Sequence, residues 1–130
     1  MNYLDGVVSN IENCDSLHIV EFAVENEHLY MMSLEIPTIH VGLHVRLAIK
    51  PLSIAIAKRF LGSISFSNKL FATVKQISEG VLLCSVKLDF KTHELEAVLR
   101  KKALENMHLK VGDSVVLFIK ASDVFIKEVL

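Results

Sequence analysis

Apolar residues recur along this chain in a pattern that is written twice. Leu4, Val8, Ile11, Leu17, Val20, Phe22 and Leu29 align with Leu70, Val74, Ile77, Leu83, Val86, Leu88 and Leu95 at a constant offset of 66. After an insertion of four residues, Val41-Gly42, Val45, Leu47, Ile49-Lys50, Ile54 and Ile56 align with Val111-Gly112, Val115, Leu117, Ile119-Lys120, Val124 and Ile126 at an offset of 70. A fold unit of roughly 65 residues therefore occurs twice in tandem. The two copies act as a controlled comparison, because polar residues kept in only one copy are candidates for chemistry.

Within each copy the period is that of a strand. Leu82, Cys84, Val86, Leu88 and Phe90 alternate with Leu83, Ser85, Lys87 and Asp89, as a half-buried strand requires. Val115, Leu117 and Ile119 repeat the alternation, and Val45, Leu47 and Ile49 do so in the first copy. Turn residues separate these runs: Glu12-Asn13 and Asp15-Ser16, Glu25-Asn26, Ser78-Glu79-Gly80, Lys91-Thr92, and a Val-Gly pair before the fourth strand of each copy. Each copy reads as five short strands. The second adds a helical stretch, Lys101 to His108, where the first has only Pro37-Thr38-Ile39-His40. Five strands with a helix between the third and fourth is the pattern of a small OB-like barrel. The expected fold is thus all-β, two tandem OB-like five-stranded barrels, with copies at residues 1–60 and 64–130 and a short helix in the second. Residues 59–65 read as the linker.

Bulk properties narrow the partners. Hydrophobic residues make up 52% of the 130 residues, and mean hydropathy is +0.43. Units this small bury a modest share of their surface, so burial between copies and between chains is expected, and with it a homo-oligomer. Fourteen Lys and Arg against fifteen Asp and Glu give a net charge of -1, without overall pull toward nucleic acid or an acidic membrane. Cys14 and Cys84 form no CxxC pair and are too few for a disulfide framework, which fits a reduced, cytoplasmic setting. The first residues lack the pattern of a signal peptide, and no apolar run approaches the ~20 residues that cross a bilayer. The six histidines show no metal spacing, and no nucleophile–base set is evident, so no enzyme is expected.

Two stretches of the second copy carry a resemblance. Ile64-Ser65-Phe66-Ser67-Asn68-Lys69-Leu70-Phe71-Ala72-Thr73-Val74 resembles the opening of the Mop, or TOBE, domain, I-S-x-R-N-x-L-x-G-x-V. Leu109 to Val124, containing Val111-Gly112-Asp113 and Ile119-Lys120-Ala121-Ser122-Asp123-Val124, resembles its close, L-x-x-G-x-x-V-x-x-x-I-K-A-S-x-V. The resemblance covers about half of the chain, and the first copy follows as a degenerate unit. It implies a tandem Mop protein, similar to the molbindins, that binds molybdate or tungstate as an oxyanion for cytoplasmic storage, buffering or delivery. It also implies a homo-oligomer, a trimer before a dimer. The alternative is an oligomerising interaction module of a molybdate transport or sensing system with a decayed anion site.

On this resemblance the oxyanion ligands are expected at Lys120, at the backbone N–H groups of Ala121 and Ser122 with the Ser122 hydroxyl, and at Ser65, Ser67 and Asn68. Charge-assisted hydrogen bonds suit a tetrahedral dianion. Ser67 stands where the family has Arg, and Leu99-Arg100-Lys101-Lys102-Ala103 stands where it has I-T-x-x-S. Arg100 is the candidate to compensate for the lost hydroxyls. In the first copy Lys50 remains, while Pro51 and Leu52 replace the Ala and Ser. Proline has no N–H, so Lys50 is the remnant of a second site.

Overall fold

The computed structural model describes residues 1–130. Ten strands, one α-helix and two single 3-10 turns follow in order: β1 (Asn2–Cys14), β2 (Leu17–Val24), β3 (Glu27–Ser33), β4 (His44–Ile49), the turn Pro51–Ser53, β5 (Ala55–Lys58), β6 (Asn68–Glu79), β7 (Leu83–Phe90), β8 (His93–Arg100), α1 (Lys101–Met107), β9 (Ser114–Ile119), the turn Ala121–Asp123 and β10 (Val124–Val129). The strands form two antiparallel five-stranded sheets, ordered β10-β4-β1-β2-β3 and β5-β9-β6-β7-β8. In each sheet the outer strands, β10 with β3 and β5 with β8, come together without pairing. Each sheet therefore curls into a partly open barrel.

The repeat extends to fine detail. Both long first strands carry a bulge at the same place, between Val8 and Asn10 and between Val74 and Gln76. Each copy has a left-handed glycine before its fourth strand, Gly42 at φ 96° and Gly112 at φ 94°. That glycine N–H donates to the bulged strand, from Gly42 to the Val8 carbonyl and from Gly112 to the Val74 carbonyl, each at 2.8 Å. Inside the barrels lie Leu4, Val20, Phe22, Leu29, Leu47 and Ile49, and their counterparts Leu70, Val86, Leu88, Leu95, Leu117 and Ile119, all fully buried. In the second strand of the second copy the inward face is Cys84, Val86, Leu88 and Phe90, whereas Leu82 lies before the strand at the exposed hairpin tip. The helix forms where expected. Leu104 turns inward and His108 closes the helix in the left-handed conformation at φ 52°.

The sheets differ from the expected sequential units in one respect: the fifth strands are exchanged. β5 from the first copy pairs with β9, placing Ile56 opposite Leu117. β10 from the second copy pairs with β4, placing Ile126 opposite Leu47. Local backbone geometry accounts for this. Residues flanking each 3-10 turn are extended, Lys50 at φ -69°, ψ 141° and Ile54 at φ -96°, ψ 120°, with nearly the same values at Lys120 and Val124. The chain is carried onward to the other barrel instead of folding back on its own fourth strand. Ion pairs hold the far ends of the exchanged strands: Lys58 to Asp113 at 3.0 Å, and Glu128 to Arg46 at 3.0 Å.

Candidate functional site

The exchange places the second 3-10 turn, Ala121–Asp123, against β3 of the first copy. Together with the segment entering β6, the two enclose an open cavity of about 250 Å³. Its polar members are Ser65, Ser67, Lys120 and Ser122, joined by Ala121; Ile19, Tyr30, Met32 and Phe66 supply the remaining wall. Five of the eight expected residues are thus brought to one place. The serines and Lys120 are exposed and line the cavity, and none of their side chains is hydrogen-bonded or ion-paired to another part of the chain. One cation and three hydroxyls are left free to engage a ligand.

Three expected residues fall elsewhere. Asn68 is fully buried behind the cavity. Its amide is spent on the β3 backbone: the Asn68 oxygen accepts from the Tyr30 N–H at 2.7 Å, and its Nδ2 donates to the Tyr30 carbonyl at 3.0 Å. Arg100 ends β8 and lines a separate hollow with Leu82, Leu83, Lys101 and Lys102. The Leu83–Arg100 pairing sets it at the β7–β8 end of the barrel, and it is not among the residues lining the Ser65–Lys120 cavity. Lys50 occupies the place in the first copy that Lys120 holds in the second. The turn that follows it packs against β8, where Glu96 stands at the position of Tyr30.

Tyr30 is held on two sides. Its backbone is fixed by Asn68, and the Glu21 carboxylate on the neighbouring strand raises the Tyr30 pKa. Glu21 in turn is held below the usual glutamate range, first by the Ser9 hydroxyl at 2.8 Å and then by Tyr30. His28 lies 3.5 Å from the same carboxylate. Phe66 is anchored on the outer surface of β9, its ring 5.7 Å from that of Phe118, which also meets Phe60 at 5.0 Å. These contacts give the cavity a fixed wall. Ile19, Tyr30 and Met32 have no motif to announce them; the available signal is that their repeat counterparts, Ser85, Glu96 and Val98, differ in character.

Paired OB-like barrels with exchanged fifth strands and a small cavity of mixed apolar and polar lining between the copies define a tandem β-barrel architecture. Residues 64–126 match the family model described as the TOBE domain. The second copy is therefore a TOBE domain. Over 83 residues it is 36% identical to the molybdenum import ATP-binding protein ModC of Brucella suis biovar 1 (strain 1330), a match covering 63% of this chain and 23% of that relative. The chain thus spans under a quarter of the length of that curated relative. The same values hold for ModC of Brucella abortus (strain 2308). Among solved structures, the cytoplasmic molybdate-binding protein ModG in its molybdate-bound form superposes with a TM-score of 0.86 at 23% identity, covering 96% of this chain and 94% of that one. That superposition spans both barrels and shows the fold. A molybdate-binding protein from Sporomusa ovata aligns over 53% of this chain and 98% of its own, at 36% identity and a TM-score of 0.47.

Proposed function

We propose that this protein binds a tetrahedral oxyanion, molybdate or tungstate, in the cavity between the copies and acts without catalysis as a cytoplasmic buffer or carrier. One observation carries the reading: Lys120 and the hydroxyls of Ser65, Ser67 and Ser122 face a single cavity and have no partner within the chain. A dianion supplies the missing acceptor for all four. Charge-assisted hydrogen bonds of this kind are roughly twice as strong as neutral ones. The names of the ModC and ModG relatives point to the same anion class.

The first-copy counterpart is unsuited to an anion. Pro51 lacks an N–H, Leu52 lacks a hydroxyl, and Glu96 places a carboxylate where Tyr30 stands in the other copy. The expected stoichiometry is therefore one anion per chain. Calorimetric titration with molybdate, tungstate, sulfate and phosphate tests the reading. Binding of the first two at one per chain supports it, and absence of heat from both at millimolar concentration sinks it.

Self-association into a homo-oligomer, with a trimer as the family expectation, belongs to the same proposal. Phe71 is 70% exposed on the outer face of β6, beside Val116 of β9. At the matching place in the first copy, Asp5 and Arg46 close the surface with an ion pair at 2.8 Å. The apolar face on the second barrel supplies a surface for another chain. Light scattering on the intact protein and on Phe71→Asp reads this directly, with a smaller particle expected for the variant.

A further inference from the structure

We infer that Asn68 is the positioning residue of the oxyanion site, the joint at which its three walls meet, and not one of its ligands. The inference rests on the oxyanion reading of the cavity. Ser65, Phe66 and Ser67 immediately precede Asn68 in the chain. In the β6–β9 ladder Asn68 lies opposite Ile119, the residue before Lys120, Ala121 and Ser122. Through its side chain it grips both backbone groups of Tyr30, which with Met32 forms the β3 wall. The entering segment, the 3-10 turn and the foreign strand are thus fixed to one another through one buried amide.

The grip is suited to that task. Asn68 is 0% exposed, and its oxygen and nitrogen each find a partner. No freedom is left for the amide to swing toward a ligand, and loss of either bond would strand a buried backbone group. Along β3, Leu29 and Met31 point into the barrel while Tyr30 and Met32 line the cavity. Pinning the Tyr30 backbone therefore sets the distance between that wall and the Lys120 ammonium. Groups that orient ligands from behind a metal site typically cost about 10- to 100-fold in affinity when removed, and a similar loss is expected here.

The repeat supplies its own control. Asn2 makes the same pair of bonds in the other barrel, its oxygen accepting from the Glu96 N–H at 2.7 Å and its Nδ2 donating to the Glu96 carbonyl at 2.8 Å. Asn2 lies opposite Ile49, the residue before Lys50. It holds an equivalent junction that faces no Lys120-type cavity. A purely structural role predicts that the two asparagines behave alike, whereas a positioning role separates them.

The test compares Asn68→Ala and Asn2→Ala in the full chain by thermal unfolding, molybdate calorimetry and amide hydrogen exchange. Similar losses of stability are expected, with molybdate affinity falling at least tenfold in Asn68→Ala and unchanged in Asn2→Ala. Exchange should quicken at Tyr30 and Met32 only in Asn68→Ala. Asn68→Asp, which keeps the size and the acceptor for the Tyr30 N–H, should fall between wild type and Asn68→Ala, and it serves as the binding variant if the alanine chain does not fold. Wild-type affinity in Asn68→Ala or Asn68→Asp, or equal affinity losses in Asn68→Ala and Asn2→Ala, overturns the inference. If the wild-type chain itself binds no molybdate, the oxyanion reading fails first. The exchange comparison then still decides the structural half, and unchanged Tyr30 protection in Asn68→Ala would refute it.

Discussion

At the residue scale, the controlling distinction is between polar groups already engaged and polar groups left free. The Lys120 side chain is exposed and forms no ion pair, so Lys120→Ala should leave thermal stability unchanged. Hydrogen bonds to charged groups contribute about 1.5–3 kcal/mol, so the same change should weaken molybdate binding by about ten- to hundredfold, read by calorimetry. Gly112 shows the opposite case. A Cβ there would meet open space, yet φ is 94°. The cost of Gly112→Ala is therefore in the backbone alone, about 1–2 kcal/mol, measurable by urea unfolding. The cysteines also divide by accessibility: Cys14 is exposed and Cys84 buried. A thiol reagent should label one cysteine rapidly in the native protein and the second only on unfolding. The repeat made much of this legible. Residues kept in both copies tend to serve the frame, and Asn68, with Asn2 at the same place in the other copy, is one of them. It lies inside a family motif, and its presence in both copies fits the positioning role inferred for it. Lys120 is also kept, as Lys50, so retention alone does not separate frame from site; the surrounding residues do.

At the scale of the elements, each strand phase follows from apolar alternation, and the helix follows from a four-residue insertion that brings Leu104 over the barrel end. What alternation does not convey is which copy a fifth strand joins. Ile54 and Ile56 have the same spacing as Val124 and Ile126, so either strand satisfies either sheet edge. The choice is made by the extended residues around the 3-10 turns, a property of backbone angles with no signature in hydrophobic pattern. Arg100 shows the same limit: its sequence position is beside the helix start, and the Leu83–Arg100 pairing sets it at the β7–β8 end of the barrel. The latch on β5 is itself testable. Lys58 Nζ donates to the His108 carbonyl at 2.7 Å and meets Asp113 at 3.0 Å. The Asp113 pKa is lowered first by the Lys110 backbone N–H and then by Lys58. A carboxyl whose pKa is lower in the folded state adds stability above its unfolded value and loses it as pH falls through the folded one. Below about pH 4 the latch should therefore weaken. Thermal unfolding between pH 6 and pH 2 should show a shallower acid decline for Asp113→Asn than for wild type.

At the scale of the whole molecule, neither half owns a complete barrel. Residues 64–130 alone would leave the edge of β9 without β5 and leave β10 without β4. An unpaired apolar edge seeks another strand, so this fragment should not persist as a folded monomer. Size-exclusion chromatography with light scattering should find it paired or aggregated, while an equimolar mixture with the other half should recover a 1:1 species. The cavity shares that dependence, since Tyr30 and Met32 reach it from the first copy while Lys120 and Ser122 come from the second. The reciprocal strands also bear on how such a chain can change over generations. Neither copy can be deleted, shuffled into another gene or replaced by an unrelated module without orphaning a strand of the other, so the two must be inherited together. Change is then tolerated where it spares the shared apolar frame, as at Pro51 and Leu52 of the first copy and Glu96 of the second, which stand where the repeat has Ala121, Ser122 and Tyr30.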